Sequence, residues 1–351
     1  MHASRRIDYQ SVKIPPSLWP AVARVAGASW PPPDAGAAQG IVEQALREGL
    51  LPLLFHSEKQ LPGNLAAALV SFRAMQRAQG ARAEAICRVF RRVSGLLERE
   101  ELVVIKGLDY AHRLYPATDL RPMVDIDLLV RRDAIDRVCN RLREAGFEQL
   151  FPRGPISRHA GYHERVFHID GVTVEPHHSF LQRTRLRVDY DEVWRRTLPA
   201  EICGMSVRRL GDVEAILYHA LSLASNEFEV VMGRYVDITL LLDVPGVDLA
   251  AVIDTARRWR MERALYGALR QTATLFPERA PQIEPLITQL LSPAVRQRID
   301  QRVLPSPYAR DPLSRRDQVL RKLRLIDRTR ERAAFVLYQV WASLAVRLAT
   351  R

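Results

Sequence analysis

The stretch that decides the fold of this chain reads Arg121-Pro122-Met123-Val124-Asp125-Ile126-Asp127-Leu128-Leu129-Val130, and Ile105-Lys106-Gly107 precedes it. The apolar run that ends at Val130 is typical of a buried strand. A strand sends alternate side chains to opposite faces, so Asp125 and Asp127 are expected to share one face. Ile126 and Leu128 are expected to point into the protein interior.

Paired carboxylates on one face of a strand repel each other unless a positive charge lies between them. Mg²⁺ prefers hard oxygen ligands, and proteins commonly hold it with one or two carboxylates and the phosphates of a substrate. The spacing of Asp125 and Asp127 therefore indicates a divalent cation, Mg²⁺ or Mn²⁺, and a nucleotide as the ligand.

These residues resemble the signature of an uncharacterised bacterial group within the polymerase-beta-like nucleotidyltransferases, in which Lys-Gly is followed by Arg-Pro-Met-x-Asp-Ile-Asp-Leu-Leu-Val. The same group continues with a strand that ends Val-Glu-x-His, which matches Val174-Glu175-Pro176-His177. Its helical histidine and the aspartate after an aromatic residue are matched by His219 and by Asp237 in Arg234-Tyr235-Val236-Asp237. The resemblance covers about residues 100 to 245.

The resemblance implies transfer of a nucleoside monophosphate from an NTP to an acceptor hydroxyl, amine or carboxylate on a small molecule, peptide or protein. Glu175 is expected to join Asp125 and Asp127 as the third metal ligand, and His177 is expected to transfer a proton or contact phosphate. All four are candidate catalytic residues. The candidate nucleotide-binding residues are Lys106, Gly107, Arg121, His219 and Asp237.

One departure from the superfamily pattern follows the loop glycine, where many members have serine but this chain has Leu108. Arg121 is a candidate to supply the missing positive charge, and the alternative is a structural ion pair between Arg121 and Asp119. A catalytically silent protein that binds a nucleotide or a partner on the same fold therefore stays open as a second reading.

The chain has 351 residues and a formal net charge of +12, most of which comes from arginine. A basic balance favours acidic partners such as nucleotides, nucleic acid or an anionic membrane. A nucleic-acid-binding module, whose affinity would fall steeply with salt, is a third reading. It is not favoured, because no segment matches a known nucleic-acid-reading motif.

The cysteines Cys87, Cys139 and Cys203 are far apart in sequence, and we expect them to be reduced and buried in a cytoplasmic protein. The residues that follow Met1 lack the apolar core of a signal peptide. Five histidines lie close together and raise a zinc alternative: His159, His163, His168, His177 and His178. Their spacing matches no zinc signature, so surface histidines are the preferred interpretation.

The expected fold class is α+β, with a nucleotidyltransferase-type α/β core whose mixed sheet is flanked by helical regions. The predicted divisions are a proline-rich arm over 1–35, a helical region over 36–100, the core over 101–210 and a helical domain over 211–351. The core elements predicted from periodicity are a strand over 102–105, a helix over 109–114, a strand over 124–130, a helix over 131–145 and a hairpin over 166–175.

The C-terminal run over 333–346 is strongly apolar. It is shorter than the roughly 20 residues that span a bilayer. A buried last helix is the preferred interpretation, and an interfacial membrane anchor with Trp341 and Arg347 at the headgroups is the alternative.

Overall fold

The computed structural model of the chain describes residues 15–151, 163–181, 187–229, 231–305 and 315–326, together with 332, 333 and 337. Helices occupy the segment that precedes the sheet, as predicted for residues 36–100. They are α1 (Leu18–Val25), α2 (Ala35–Arg47), α3 (Leu51–His56), α4 (Gly63–Leu69) and α5 (Arg73–Leu96).

Helix α1 lies inside the interval over 1–35 that was predicted to be a proline-rich arm, and it spans eight residues of that interval. Pro20 is the third residue of α1, where a backbone N–H has no acceptor within the helix, so the missing donor of proline costs little there. Leu18 and Val22 are buried against the rest of the protein. Residues 1–14 lie outside the described residues.

The core follows as an alternation of strands and helices. Its elements are β1 (Leu102–Ile105), α6 (Gly107–Arg113), β2 (Asp125–Val130), α7 (Ile135–Glu144), β3 (Glu148–Phe151), β4 (Val166–Ile169), β5 (Val172–His177), α8 (Tyr190–Arg195), β6 (Leu198–Ile202) and β7 (Met205–Arg209). The seven strands form one sheet in the order β3-β4-β5-β2-β1-β7-β6. This confirms an α+β fold with a mixed sheet, including the β4–β5 hairpin.

Strands β3, β6 and β7 were not predicted. Strands β6 and β7 form one edge of the sheet, and most of their residues are exposed or only partly buried. They therefore lack the apolar run that marks a buried strand, and Pro199 further weakens the pattern.

Strand β2 lies near the middle of the sheet, antiparallel to β1 and parallel to β5. Asp127 is opposite Ile105 on β1 and Glu175 on β5. Residues in register share a face, so the carboxylates of β2 and β5 emerge side by side. Ile126 and Leu128 point to the other face, where they join an apolar cluster with residues of α5 and α7.

The chain after the sheet is helical through the rest of the described residues. The helices are α9 (Asp212–Ser225), α10 (Met232–Leu242), α11 (Leu249–Trp259), α12 (Glu262–Leu275), α13 (Ala280–Leu290), α14 (Pro293–Arg302) and α15 (Arg315–Leu325). A single apolar cluster joins these helices to α1–α4 and to the carboxylate-bearing face of the sheet. The site face of the sheet is thus enclosed by helices from both ends of the chain.

Most of the C-terminal apolar run lies outside the described residues, so neither interpretation of it is tested. Within the described part, no helix is both long and apolar enough to cross a membrane.

The expectation of reduced cysteines is wrong for two of the three, because Cys87 and Cys203 form a disulfide with a Cα–Cα distance of 5.4 Å. Cys87 lies on α5, and Cys203 lies with Gly204 in the two-residue turn between β6 and β7. Both turn residues have positive φ, as a tight hairpin turn of this kind requires. The third cysteine, Cys139, is outside this bond and buried. The cysteine argument for a cytoplasmic protein therefore no longer holds.

The burial of Leu128 between the sheet and its covering helices predicts a large effect of truncation. Leu128→Ala should lower the free energy of unfolding by about 2–5 kcal/mol, since it leaves a cavity in a fully buried site. Val124→Ala is the matched control, because Val124 is 67% exposed and its truncation should cost less than about 0.5 kcal/mol. Urea unfolding of both variants checks this, and equal losses would contradict the burial of Leu128 in the apolar cluster.

Candidate active site

Three acidic side chains line the face of the sheet at β2 and β5. Asp127 is only 2% exposed, whereas Asp125 and Glu175 are partly exposed. Ligand atoms of Asp127, Glu175 and His177 all lie within 4.8 Å of one another. Asp125 lies outside that cluster, but it lines the same cleft as Asp127.

Two cationic side chains converge on the Oδ1 atom of Asp127. Lys106 Nζ lies 3.2 Å from it, and His177 Nε2 donates a hydrogen bond to it at 2.9 Å. Burial alone would raise the pKa of Asp127, but Lys106 and His177 outweigh it and hold the pKa below its usual range. Asp127 is therefore ionised despite its burial.

His177 is buried, contrary to the expectation that the clustered histidines lie on the surface. Burial would lower its pKa, but hydrogen bonds to Asp127 and Glu175 outweigh burial and raise the pKa to about 9. Its other ring nitrogen, Nδ1, lies 3.6 Å from Oε2 of Glu164. His177 thus carries a proton at neutral pH and is surrounded by carboxylates on both sides.

A second group of metal-capable side chains adjoins the first through His177. The ring centroid of His163 is 5.7 Å from that of His177, and Glu164 lies near both rings. These three residues bring ligand atoms within 4.8 Å of one another. His159 lies outside the described residues.

The pKa of Asp125 is raised to about 6, first because the side chain is largely buried and then because Asp127 and Glu175 repel its negative charge. Lys106 and Arg121 oppose this shift but do not cancel it. The cations of this face therefore do not fully offset the burial of Asp125 and the negative charge of its neighbours.

Lys106 connects β1 to α6, and Gly107 is the first residue of that helix. Lys106 has a φ of 52°, which an L-residue rarely adopts, and such strained residues cluster at functional sites. A Cβ atom at position 107 would lie 3.0 Å from Nη1 of Arg121. Glycine at this position therefore allows the guanidinium to approach the loop.

Arg121 pairs with Asp237 and not with Asp119. Its Nε and Nη2 atoms bind the two carboxylate oxygens of Asp237 at 2.9 and 2.7 Å. The hydroxyl of Tyr115 donates to Oδ1 of the same carboxylate at 2.8 Å. This bidentate pair fixes the guanidinium, so that its remaining nitrogen, Nη1, lies beside Gly107.

His219 is buried on α9 and donates a hydrogen bond from Nε2 to the backbone oxygen of Arg234 at 2.7 Å. Burial lowers the pKa of His219 to about 4. The imidazole is therefore neutral at pH 7. His219 also lines the cleft. Its contact with a nucleotide stays a prediction.

A cleft of about 410 Å³ opens beside these side chains. Its lining includes the connection between α2 and α3 and residues of α9 and α10, and Gly233 at the start of α10 donates a backbone hydrogen bond to Glu48 of that connection. All five candidate nucleotide-binding residues line it, as do both aspartates of β2. Motifs that are more than 100 residues apart in the sequence thus line the same cleft.

Sequence reasoning missed four residues of the site: Tyr115, Glu164, Tyr218 and Arg234. The ring of Tyr218 lies 5.2 Å from Lys106 Nζ, and Nη1 of Arg234 is buried without a hydrogen-bond partner. Tyr218 directly precedes His219, and Arg234 opens the Arg-Tyr-Val-Asp run, so adjacency to the matched motifs was the signal for both. No signal in the sequence marks Tyr115 or Glu164.

Comparison with known proteins gives one family. A family model described as an uncharacterised nucleotidyltransferase matches residues 35–277, which is more than half of the chain. No curated protein matches the chain. Among solved structures, the chain is similar to an antigenic nucleotidyltransferase-like protein from Paracoccidioides brasiliensis. The identity is 14%, the match covers 57% of this chain and 91% of that one, and the TM-score is 0.35.

The lowered pKa of His219 predicts a specific pH dependence of stability. The unfolded histidine has a pKa of about 6.5, so the unfolded state binds the proton more readily, and stability is lost as the pH falls from about 6.5 towards 4. His219→Gln keeps an amide donor but cannot titrate. Between pH 7 and pH 5 the wild type should lose about 2 kcal/mol more unfolding free energy than this variant.

Chemical unfolding at the two pH values measures that difference. His168→Gln, on partly exposed β4, is the matched control and should keep the wild-type pH dependence. An unchanged pH dependence in His219→Gln would show that His219 is not held neutral by the fold.

Proposed function

We propose that this chain, which belongs to the family of uncharacterised nucleotidyltransferases, transfers a nucleoside monophosphate from an NTP to an acceptor in the cleft beside β2. The observation that carries the proposal is the in-register pair Asp127 and Glu175, with Asp125 on the same strand face. Three carboxylates next to a cleft lined by Lys106 and Arg121 suit a metal-bound triphosphate.

The donor set fits Mg²⁺ or Mn²⁺. Asp125, Asp127 and Glu175 offer hard carboxylate oxygens, and the pKa of Asp125 is raised first by burial and then by the negative charge of Asp127 and Glu175, which a bound cation would offset. These three residues would hold the ion. When bound, such an ion neutralises phosphate charge and stabilises the charge that develops during phosphoryl transfer.

The residues around the carboxylates have separate roles in this proposal. Lys106, strained at the loop and in contact with Asp127, places a point charge where phosphate oxygens would enter the cleft. Arg121 is positioned by Asp237, so that a second cation lies beside Gly107. His177 keeps a proton next to Asp127 and Glu175, where it balances their charge and can exchange a proton with an acceptor.

Arg234, which lines the cleft on α10, extends this assignment. A buried guanidinium nitrogen without a partner is costly, and an anionic group on a ligand would satisfy it. We therefore assign Arg234 to the binding of a phosphate or carboxylate group that enters the cleft. The acceptor is unidentified, and a peptide, a protein or a small metabolite each fits the proposal.

Transfer is tested by incubating the full chain with each α-labelled NTP, Mg²⁺ or Mn²⁺, and a lysate as the source of acceptors. Asp127→Asn should lower labelling at least about 100-fold, because metal stabilisation supplies several kcal/mol and each 1.36 kcal/mol is tenfold in rate. Glu175→Gln should act in the same direction. Asp191→Asn is the matched control, because that side chain is 90% exposed and should leave labelling unchanged.

The outcomes separate the alternative functions. Metal-dependent NTP binding by the wild type without any transfer would favour the silent binding protein. Binding of nucleic acid that weakens steeply with salt, without NTP binding, would favour the nucleic-acid module. Labelling that survives in both Asp127→Asn and Glu175→Gln would overturn the site assignment.

Arg234→Gln tests the role of Arg234 separately. Loss of one charge-assisted hydrogen bond should weaken binding of the anionic ligand about 10- to 100-fold, seen as a higher KM for the NTP or the acceptor. Arg77→Gln, at an exposed position on α5, should leave both KM values unchanged. A lower kcat with unchanged KM values would instead assign Arg234 to the reacting atoms.

A further inference from the structure

A cluster of sulfur and nitrogen ligands lies apart from the carboxylates, where three separate elements meet. Cys87 comes from α5, His112 from the last turn of α6, and Cys203 from the turn between β6 and β7. Ligand atoms of all three residues lie within 4.8 Å of one another. No fourth histidine, cysteine or carboxylate joins the cluster within the described residues.

The imidazole of His112 is directed at both sulfur atoms. Its Nε2 atom lies 3.2 Å from Sγ of Cys203 and 3.7 Å from Sγ of Cys87. In a tetrahedral zinc site, bonds of about 2.3 Å to sulfur and 2.0–2.1 Å to nitrogen place the two kinds of ligand atom about 3.6 Å apart. The nitrogen is therefore already near the distance that such a site requires from both sulfurs.

We propose that Cys87, His112 and Cys203, when the disulfide is reduced, form a binding site for a thiophilic divalent metal ion of the Zn²⁺ type. An external thiol or phosphine supplies two electrons, and the disulfide takes up two protons to give two thiols. Binding of the ion then releases both thiol protons. The product is one ion held by two thiolates and one neutral imidazole, and its net charge is zero.

The ligand types select the class of metal. Thiolate and imidazole are soft or borderline ligands that suit zinc and similar ions, whereas Mg²⁺ prefers carboxylate oxygen. Arg91 follows Cys87 by one helical turn, and its guanidinium donates to the backbone oxygen of Cys203 at 3.4 Å. A nearby positive charge favours the thiolate form, which is the form that binds metal.

The positions of the ligands give the site two properties. Three protein ligands leave the fourth tetrahedral position for water or a small ligand. The ion would also connect α5, α6 and the β6–β7 turn, which the disulfide connects only in part. The proposal does not depend on nucleotidyl transfer, since none of its residues lines the cleft.

The test is a Co²⁺ titration of the full chain after treatment with a phosphine and removal of the reductant under anaerobic conditions. Co²⁺ bound to thiolate gives a near-ultraviolet charge-transfer band that carboxylate-bound Co²⁺ lacks. The band should saturate at one ion per chain and disappear on addition of Zn²⁺. Chain reoxidised to the disulfide should show no band.

Variants assign the band to the cluster. His112→Ala should weaken Co²⁺ binding at least about 10- to 100-fold, which is the effect of removing even an outer partner of a metal ligand. Cys87→Ser combined with Cys203→Ser should abolish the band. Cys139→Ser and the pair Asp127→Asn with Glu175→Gln are matched controls and should keep it, whatever their effect on nucleotidyl transfer.

Two results would overturn the proposal. One is a reduced wild-type chain that is folded by circular dichroism but gives no charge-transfer band. The other is an undiminished band in the chain that lacks both Cys87 and Cys203. The first result needs no variant, so a variant that fails to fold cannot obscure the answer.

Discussion

The buried carboxylate of Asp127 is the constraint on which the site depends. An ionised carboxylate that is 2% exposed is tolerated only with paired charges and hydrogen bonds, and here both come from outside its own strand. Lys106 arrives from the end of β1, and His177 from the end of β5. Because β2 pairs with both strands, the sheet register decides which cations meet Asp127, and a shift by one residue would move them to the opposite face. Fold and electrostatics are therefore specified together.

Much of this face could be predicted from the sequence, because strand periodicity is local. The alternation around Asp125 and Asp127 was enough to place both on one face, and Ile126 and Leu128 are buried on the other. The Asp170-Gly171 turn identified the β4–β5 hairpin, on which Glu175 and His177 lie. Each of these inferences needs only a few neighbouring residues.

The errors share a different physical origin, since each concerns a contact that only the folded chain creates. Arg121 pairs with Asp237, 116 positions away, although Asp119 is only two positions away in sequence. Cys87 and Cys203 are separated by the same number of positions and carry no motif that links them. In the sequence, His177 is one of several clustered histidines. In the fold it is buried beside Asp127 and Glu175, whose hydrogen bonds outweigh burial and raise its pKa to about 9. Spacing predicts which face a residue occupies, but not which distant charge will lie beside it.

Helix α6 relates the carboxylate site to the sulfur cluster. Lys106 immediately precedes its first residue, and His112 lies in its last turn, so this seven-residue helix joins a residue of each site. The two ligand sets are chemically opposed: carboxylates select hard cations, and thiolates with imidazole select soft ones. Mg²⁺ would therefore have little affinity for the sulfur cluster. The position of α6, and with it the strained backbone of Lys106, is held at one end by the charge on Asp127 and at the other by contacts with sulfur.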